Sequence, residues 1–530
     1  MTPTARLRAT EFLDVLVDPG SWRSWDEPIA APRDRDVGYA AELAQARART
    51  GLDEAVITGE GRIQGHRVAV VACEFGFLAG SIGVVAGERL CRAVERATAE
   101  RLPLLASPAS GGTRMQEGTV AFVQMIKVAG AITDHMASGL PYLVYLRHPS
   151  TGGAFASWGS LGQLTFAEPG ALIAFLGPRV YEALHGAPFP PDVQVAENLY
   201  AHGLVDAVVP PNRLAEVVAG ALAVMCAART APEPVGRPVG VPPDRPVTDT
   251  PAAESIRRTR RPERPGVHAL FAVAARDVTP LNGTGAGETD PVLLLALARI
   301  GNAPCVIVGQ DRAGQQRQSL GPAALRTARR GMRLAAQLRL PLVTVIDTGG
   351  AALSPQAEEA GLAGEIARCT AELLTLPTPT LSILLGQGAG GAALALLAAD
   401  RVVAAQHAWL SALQPEGAAA ILHRTVERAA EIAERQGVGA AHLFSERIVD
   451  RVVDERPDAA EEPEAFLHRL ATIVEADLAD LAERLPATRM AERRRRYRHL
   501  GLHAHVPGTA ASGEPTPEVT RSQPEETYEP

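Results

Sequence analysis

The chain has 530 residues, 46% hydrophobic and 21% charged, with a formal net charge of −8. That length points to two or three domains with real cores, and that balance to a soluble globular protein. The net negative charge argues against nucleic acid as a partner.

The five cysteines, Cys73, Cys91, Cys226, Cys305 and Cys369, lie far apart and never form C-x-x-C. This argues against a zinc ribbon and a disulfide framework and fits a reducing compartment, so a cytoplasmic protein is expected. The opening "MTPTARLRATEFLDVLVDPG" lacks an uninterrupted apolar run, so no signal peptide is expected. Of 52 basic residues, one is lysine, Lys127, and the rest are arginine. Coding bias is the plainer account. A position that needs a compact ammonium is the sharper one.

In chain order, "GERLCRAVERATAERL" (87–102) spaces its apolar residues as a helix. A strand follows in "LPLLASPASGGTRMQEG" and ends at Gly111 and Gly112. A second, in "LPYLVYLRHPSTGGAFASWGS", ends at Gly152 and Gly153. Residues 231–266 carry nine prolines and "RRTRRPERPG", and read as a mostly extended linker. Beyond it, "PAALRTARRGMRLAAQLRL" (322–340) is again helical. "LPLVTVIDTGGAALSPQAEEAG" closes a strand at Gly349 and Gly350, and "TPTLSILLGQGAGGAALALLAAD" closes one at Gly390 and Gly391. Residues 380–399 carry no charge and contain G-x-x-x-G, which hydropathy alone could take for a membrane span. They read instead as a buried strand, a glycine turn and a buried helix, "AALALLAAD". Residues 507–530 read as a disordered acidic tail.

Gly152 follows Gly111 by 41 residues, and Gly390 follows Gly349 by the same 41. The two sets are offset by 238, and "GLVDAVV" from Gly203 resembles "RIVDRVV" from Arg447. The sequence therefore implies an internal duplication of one α/β domain, with bodies at 1–230 and 267–506. A strand that turns through glycines into a helix leaves unpaired N–H groups which a ligand oxygen can approach. Close strand–helix packing is the plainer use of such glycines. G-x-x-x-x-G-K-[ST] and G-x-S-x-G are missing, and dinucleotide binding through "GQGAGG" reads as weak. His135 and His148 have no metal-ligand spacing and read as surface or satisfied core histidines. Glu358 and Glu359 read as an acidic pair at a helix N-terminus, with a catalytic acid/base pair as the alternative.

At these residues the sequence resembles a known family. The first body is similar to the β subunit of the bacterial acetyl-CoA carboxylase carboxyltransferase, through "CEFGFLAGSIGVVAGERLCRAVERA", "SPASGGTRMQEG", "QMIKVAGAI" and "STGGAFASWGSLGQL". The second is similar to its α subunit, through "RRPERP", "VIDTGGAALSPQAEEAG", "GQGAGGAALALLAADRV" and "LSALQPEGAAAIL". The chain thus looks like a β–α fusion. The resemblance implies two crotonase-like spiral domains of ββα units. It implies transfer of a carboxyl group from carboxybiotin, borne by a separate biotin carboxyl carrier protein and loaded by a biotin carboxylase, to acetyl-CoA or another short acyl-CoA. It assigns Gly152 and Gly153 to the thioester oxyanion, and Gly390, Gly391 and Ala392 to the biotin carbonyl. Gly111, Gly112 and Arg114 fall on the CoA side, Lys127 near a CoA phosphate, and Gly349 and Gly350 on the biotin side. It also implies at least a homodimer. This chain departs from the family pattern in lacking the four-cysteine ribbon, so no zinc is expected, and in Gly349, Gln387 and Ala392. A malonyl-thioester decarboxylase and a non-catalytic assembly partner are the alternatives on the same fold.

Overall fold

The computed structural model describes residues 6–29, 37–227 and 249–500. The expected tail, and half of the expected linker (231–248), lie outside them. The same architecture is built twice. In the first body an antiparallel hairpin, Val56–Ile63 with His66–Cys73, leads into the parallel strands Leu104–Ser107, Tyr142–Leu146, Leu164–Ala167 and Ala207–Val208. In the second, Leu293–Ile300 and Ala303–Gln310 form the hairpin, and Leu342–Thr348, Thr380–Ala389, Arg401–Ala405 and Arg451–Val453 follow in parallel. The register repeats with the sequence: Leu104 pairs with Tyr142, and Leu342 with Thr380. Asp206 and Asp450, from the two "VD" segments, each accept a backbone N–H at the start of a neighbouring strand, Thr165 at 2.9 Å and Val402 at 2.7 Å.

Parallel strands need crossovers, and helices supply them. Gly118–Ala137 joins Leu104–Ser107 to Tyr142–Leu146 in the first body, and Leu362–Thr375 joins Leu342–Thr348 to Thr380–Ala389 in the second. The strands are buried on both faces, and alternate residues enter different cores. Val71, Leu104 and Val144 pack beneath Leu90 and Val94 of helix Val84–Ala99. Val70, Leu105 and Leu143 belong to a core that runs on into the second body. Helix Pro211–Met225 is the bridge, with Leu214, Val218 and Leu222 in the same cluster as Leu295 and Leu297.

Two expectations are corrected. The described part of the Pro/Arg-rich segment is not an extended linker: Ala252–Thr259 is a helix, and Trp409 Nε1 donates to Thr259 Oγ1 at 2.9 Å. Arg264 is buried in an ion pair with Glu455 at 2.6 Å. Partners nearly two hundred residues away order these arginines, so local composition does not show them. In "LGQGAGGAALALLAAD" the strand extends to Ala389, and the helix is only Gly390–Leu394. The extension arises because Gln387, Gly388 and Ala389 pair with strand Trp409–Ser411. Among the described residues no helix is long and apolar enough to cross a membrane.

The C-terminal helix Pro486–His499 is fastened by Arg493, which is wholly buried. Its guanidinium donates to both carboxylate oxygens of Asp400 at 2.7 Å and to the Leu373 and Leu376 carbonyls at 2.7 and 3.0 Å. Removing it strips the buried Asp400 carboxylate of its two-pronged partner, leaves it with Arg489, whose Nε lies 3.3 Å away, and orphans the carbonyls. Arg493→Ala should therefore lose about 3–5 kcal/mol of stability, read as a lower urea midpoint.

Candidate active site: two glycine cradles

In the first body the two glycine loops lie backbone against backbone. Thr151 N–H donates to the Ser110 carbonyl at 2.8 Å. A Cβ on Gly112 would sit 3.0 Å from Gly153 N, and one on Gly152 would sit 2.9 Å from Gly111 O. Gly112 has φ 105° and Gly152 φ 64°, where L side chains are strained. Gly152 then opens the short helix Gly152–Phe155. Its own N–H donates to the Phe175 carbonyl at 3.0 Å. The sequence pairs Gly152 and Gly153 as donors. The structure divides the work: Gly152 makes the turn, and the helix start leaves the next N–H groups, beginning with Gly153, without intrahelical acceptors.

The second body repeats the device. Gly350 has φ 128° and Gly390 φ 67°, and Gly390 opens helix Gly390–Leu394. The glycines border a cavity of about 870 Å³ whose walls include Gly349, Gly350, Gln387, Gly390, Gly391 and Ile366. A Cβ on Gly391 would lie 2.7 Å from Ile366 Cδ1, so a side chain there would collide with the cavity wall. Ala392 is not among the residues with positive φ; it lies inside the helix with its side chain buried. Alanine therefore replaces glycine at this position without backbone strain. Gln414 Nε2 donates to the Gly349 carbonyl at 2.7 Å, and Gly350 N–H to Thr348 Oγ1 at 3.1 Å. Beneath the floor, Asp347 Oδ1 accepts the Gln387 N–H at 3.0 Å. Burial pushes the Asp347 carboxyl above the usual range, against the pull of Arg312, whose Nε lies 3.6 Å away.

The carboxyl transferase domain model matches residues 2–493. The "Probable biotin-dependent acyl-coenzyme A carboxylase beta3 subunit" of Mycobacterium tuberculosis is 58% identical over 94% of this chain and 99% of its own length. The "Acetyl-coenzyme A carboxylase carboxyl transferase subunits beta/alpha" protein of Salinispora arenicola is 38% identical over 94% and 91%. This chain belongs to the carboxyl transferase domain family. Transcarboxylase 12S, a hexamer solved with methylmalonyl-coenzyme A bound, superposes with a TM-score of 0.68 over 88% of this chain and 90% of its own. At 22% identity that likeness shows the fold: α/β, with two sheet-containing bodies.

Within this carboxyl transferase fold, the remaining residues singled out from sequence fall in different places. Arg114 is expected on the CoA side, but its side chain has no exposure and forms an ion pair with Glu54 at 2.5 Å. It also donates to the Ser81 carbonyl at 2.6 Å. Because the Arg114 N–H donates to Ile82 O and the Ile82 N–H to Gly112 O, this buried pair fixes the glycine loop from behind. Arg114 is thus a positioning residue. Lys127 lies on helix Gly118–Ala137, half exposed, with Nζ 2.8 Å from Glu88 across the helix seam. The structure pairs it there and does not bring it into the glycine loops. His135 is a satisfied core histidine, bonded to Thr98 Oγ1 at 2.9 Å and Pro141 O at 3.2 Å. His148 Nδ1 accepts the Leu172 N–H at 3.0 Å. Glu358 borders the second cavity on helix Pro355–Glu359, which Ser354 caps; it is the acidic N-terminal residue expected.

Sequence reasoning missed Gln310, Asp347, Gln315 and Gln414 as the polar frame of the second cradle. The available signal was a polar residue closing an apolar strand, as in "CVIVGQD" and "TVIDT".

Two substitutions test this frame. Arg114→Ala strands Glu54, and should cost about 3–5 kcal/mol in thermal or urea unfolding. Gly390→Ala places a Cβ at φ 67°. It should cost only about 1–2 kcal/mol, yet lower turnover far more than that loss of stability would.

Proposed function

We propose that this chain is the carboxyltransferase component of a biotin-dependent acyl-CoA carboxylase, with β-type and α-type halves fused, and that acetyl-CoA is carboxylated to malonyl-CoA. The observation that carries the reading is the repeated cradle: each half has a glycine in the left-handed region at the start of a short helix, beside a second glycine loop with positive φ.

The cavity of the second half fits the cofactor in size and chemistry, with apolar walls from Leu362, Ala363 and Ile366 and amides from Gln387 and Gln414. Biotin, on a separate carrier protein, supplies the carboxyl group to be moved. Gly391 and its neighbour Ala392 offer backbone N–H groups to the biotin carbonyl. Gly153 offers one to the thioester oxygen, where negative charge grows as the α-carbon loses its proton. Such donors are fixed before reaction and need no reorganisation. The tight packing of Gly111, Gly112 and Gly152 holds the thioester cradle rigid.

Each half supplies one cradle, so a complete site brings a thioester cradle to face a biotin cavity. A second copy of the chain is the proposed source of the facing half. Exposed apolar residues support this: Met115, Phe122 and Ile126 belong to the first half, and Leu353, Leu413 and Ile421 to the second.

The test uses purified protein, malonyl-CoA and biocytin. Carboxylated biocytin with acetyl-CoA as co-product is the expected result. Biotin-independent release of CO2 would instead favour a decarboxylase. CoA binding without either reaction would leave an assembly partner, and transfer confined to longer acyl-CoA substrates would overturn acetyl-CoA alone.

A further inference from the structure

Helix Gly390–Leu394 is too short to satisfy its own carbonyls. Ala395 N–H donates to Gly391 O at 2.9 Å and Leu396 N–H to Ala393 O at 3.2 Å, which passes over the carbonyl of Ala392. Gln310 takes that carbonyl: its Nε2 donates to Ala392 O at 2.8 Å. The same side-chain amide accepts the Asp347 N–H on Oε1 at 3.1 Å. Gln310 ends strand Ala303–Gln310 and is fully buried. One amide therefore ties the root of the Gly349–Gly350 loop to the first turn of the Gly390 helix. Asp347 completes the frame by accepting the Gln387 N–H. In the first body, where Ala72 and Cys73 close the corresponding strand, no amide side chain can play this part.

We propose that Gln310 is a positioning residue that sets the aim of the Gly391 and Ala392 N–H groups. The proposal rests on the carboxyl-transfer reading for its kinetic consequence, though not for the clamp itself. Gln310 touches no substrate. It holds the Ala392 carbonyl, on the peptide that directly follows the one carrying the Ala392 N–H, and a displacement of under an ångström there lowers the rate of a reaction that depends on aim.

Three measurements decide it. Gln310→Met keeps the volume and removes both hydrogen bonds. It should lower kcat for transfer from malonyl-CoA to biocytin about 10- to 100-fold and leave the KM for malonyl-CoA, which binds the other half, unchanged. Amide exchange in peptides covering 386–396 should accelerate in Q310M while the first body stays as in the wild type. In Gln310→Glu the protonated acid can still donate to Ala392 O, whereas the carboxylate repels it. The Q310E to wild-type activity ratio should therefore fall with rising pH, and the Q310M ratio should stay flat. An unchanged kcat in Q310M, or a KM for malonyl-CoA that rises with the loss of kcat, overturns the proposal. So does unchanged exchange at 386–396. If Q310M fails to fold, a pH-independent Q310E ratio overturns it. Wild-type protein that transfers no carboxyl group sinks the functional reading and the kinetic role together, while the exchange experiment still judges the clamp.

Discussion

A short helix that begins on a left-handed glycine is the constraint on which this molecule is organised. The glycine turns the chain sharply enough for the following N–H groups to leave the strand ladder before the helix can use them. Gly152 and Gly390, at φ 64° and 67°, do this at matching places in the two halves. On the proposed reading the chemistry is in the backbone, and side chains act by holding the backbone still.

That division of labour explains where the buried polar groups lie. Arg114 and Glu54 form an ion pair behind the first glycine loop. Gln310, Asp347, Thr348 and Gln414 form a hydrogen-bonded frame around the second. The two halves share a topology and a register but not their fastenings. A charged pair is strong and costly to break, whereas an amide makes two directed bonds and carries no net charge. The half with the amide frame is also the half with the large cavity. The cavity wall itself carries Arg260, Arg261, Arg312 and Glu358 beside its backbone N–H groups.

Several features were legible before any coordinates. The 41-residue glycine spacing and its 238-residue repeat reappear as matched strand registers and matched φ values. His135 was read as a surface or a satisfied core histidine, and it is the second of these. Arg114 and the segment after Pro251 were misjudged for a common physical reason. The resemblance put Arg114 on the CoA side, and arginines among prolines look like a linker, until their carboxylate partners are known. Those partners, Glu54 for Arg114 and Glu455 for Arg264, are 60 and 191 residues away.

By itself, the sequence determined the α/β duplication and the four glycine pairs, because these depend on local pattern: strand periodicity, turn residues and their spacing; the family was legible through resemblance of its motifs. The tertiary structure alone decided which N–H groups remain available. The Phe175 carbonyl takes the N–H of Gly152, strand Trp409–Ser411 lengthens its neighbour to Ala389, and Gln310 claims the carbonyl that a five-residue helix leaves over. A hydrogen-bond donor counts as free only after every acceptor within reach is known, and those acceptors come from parts of the chain that meet only on folding.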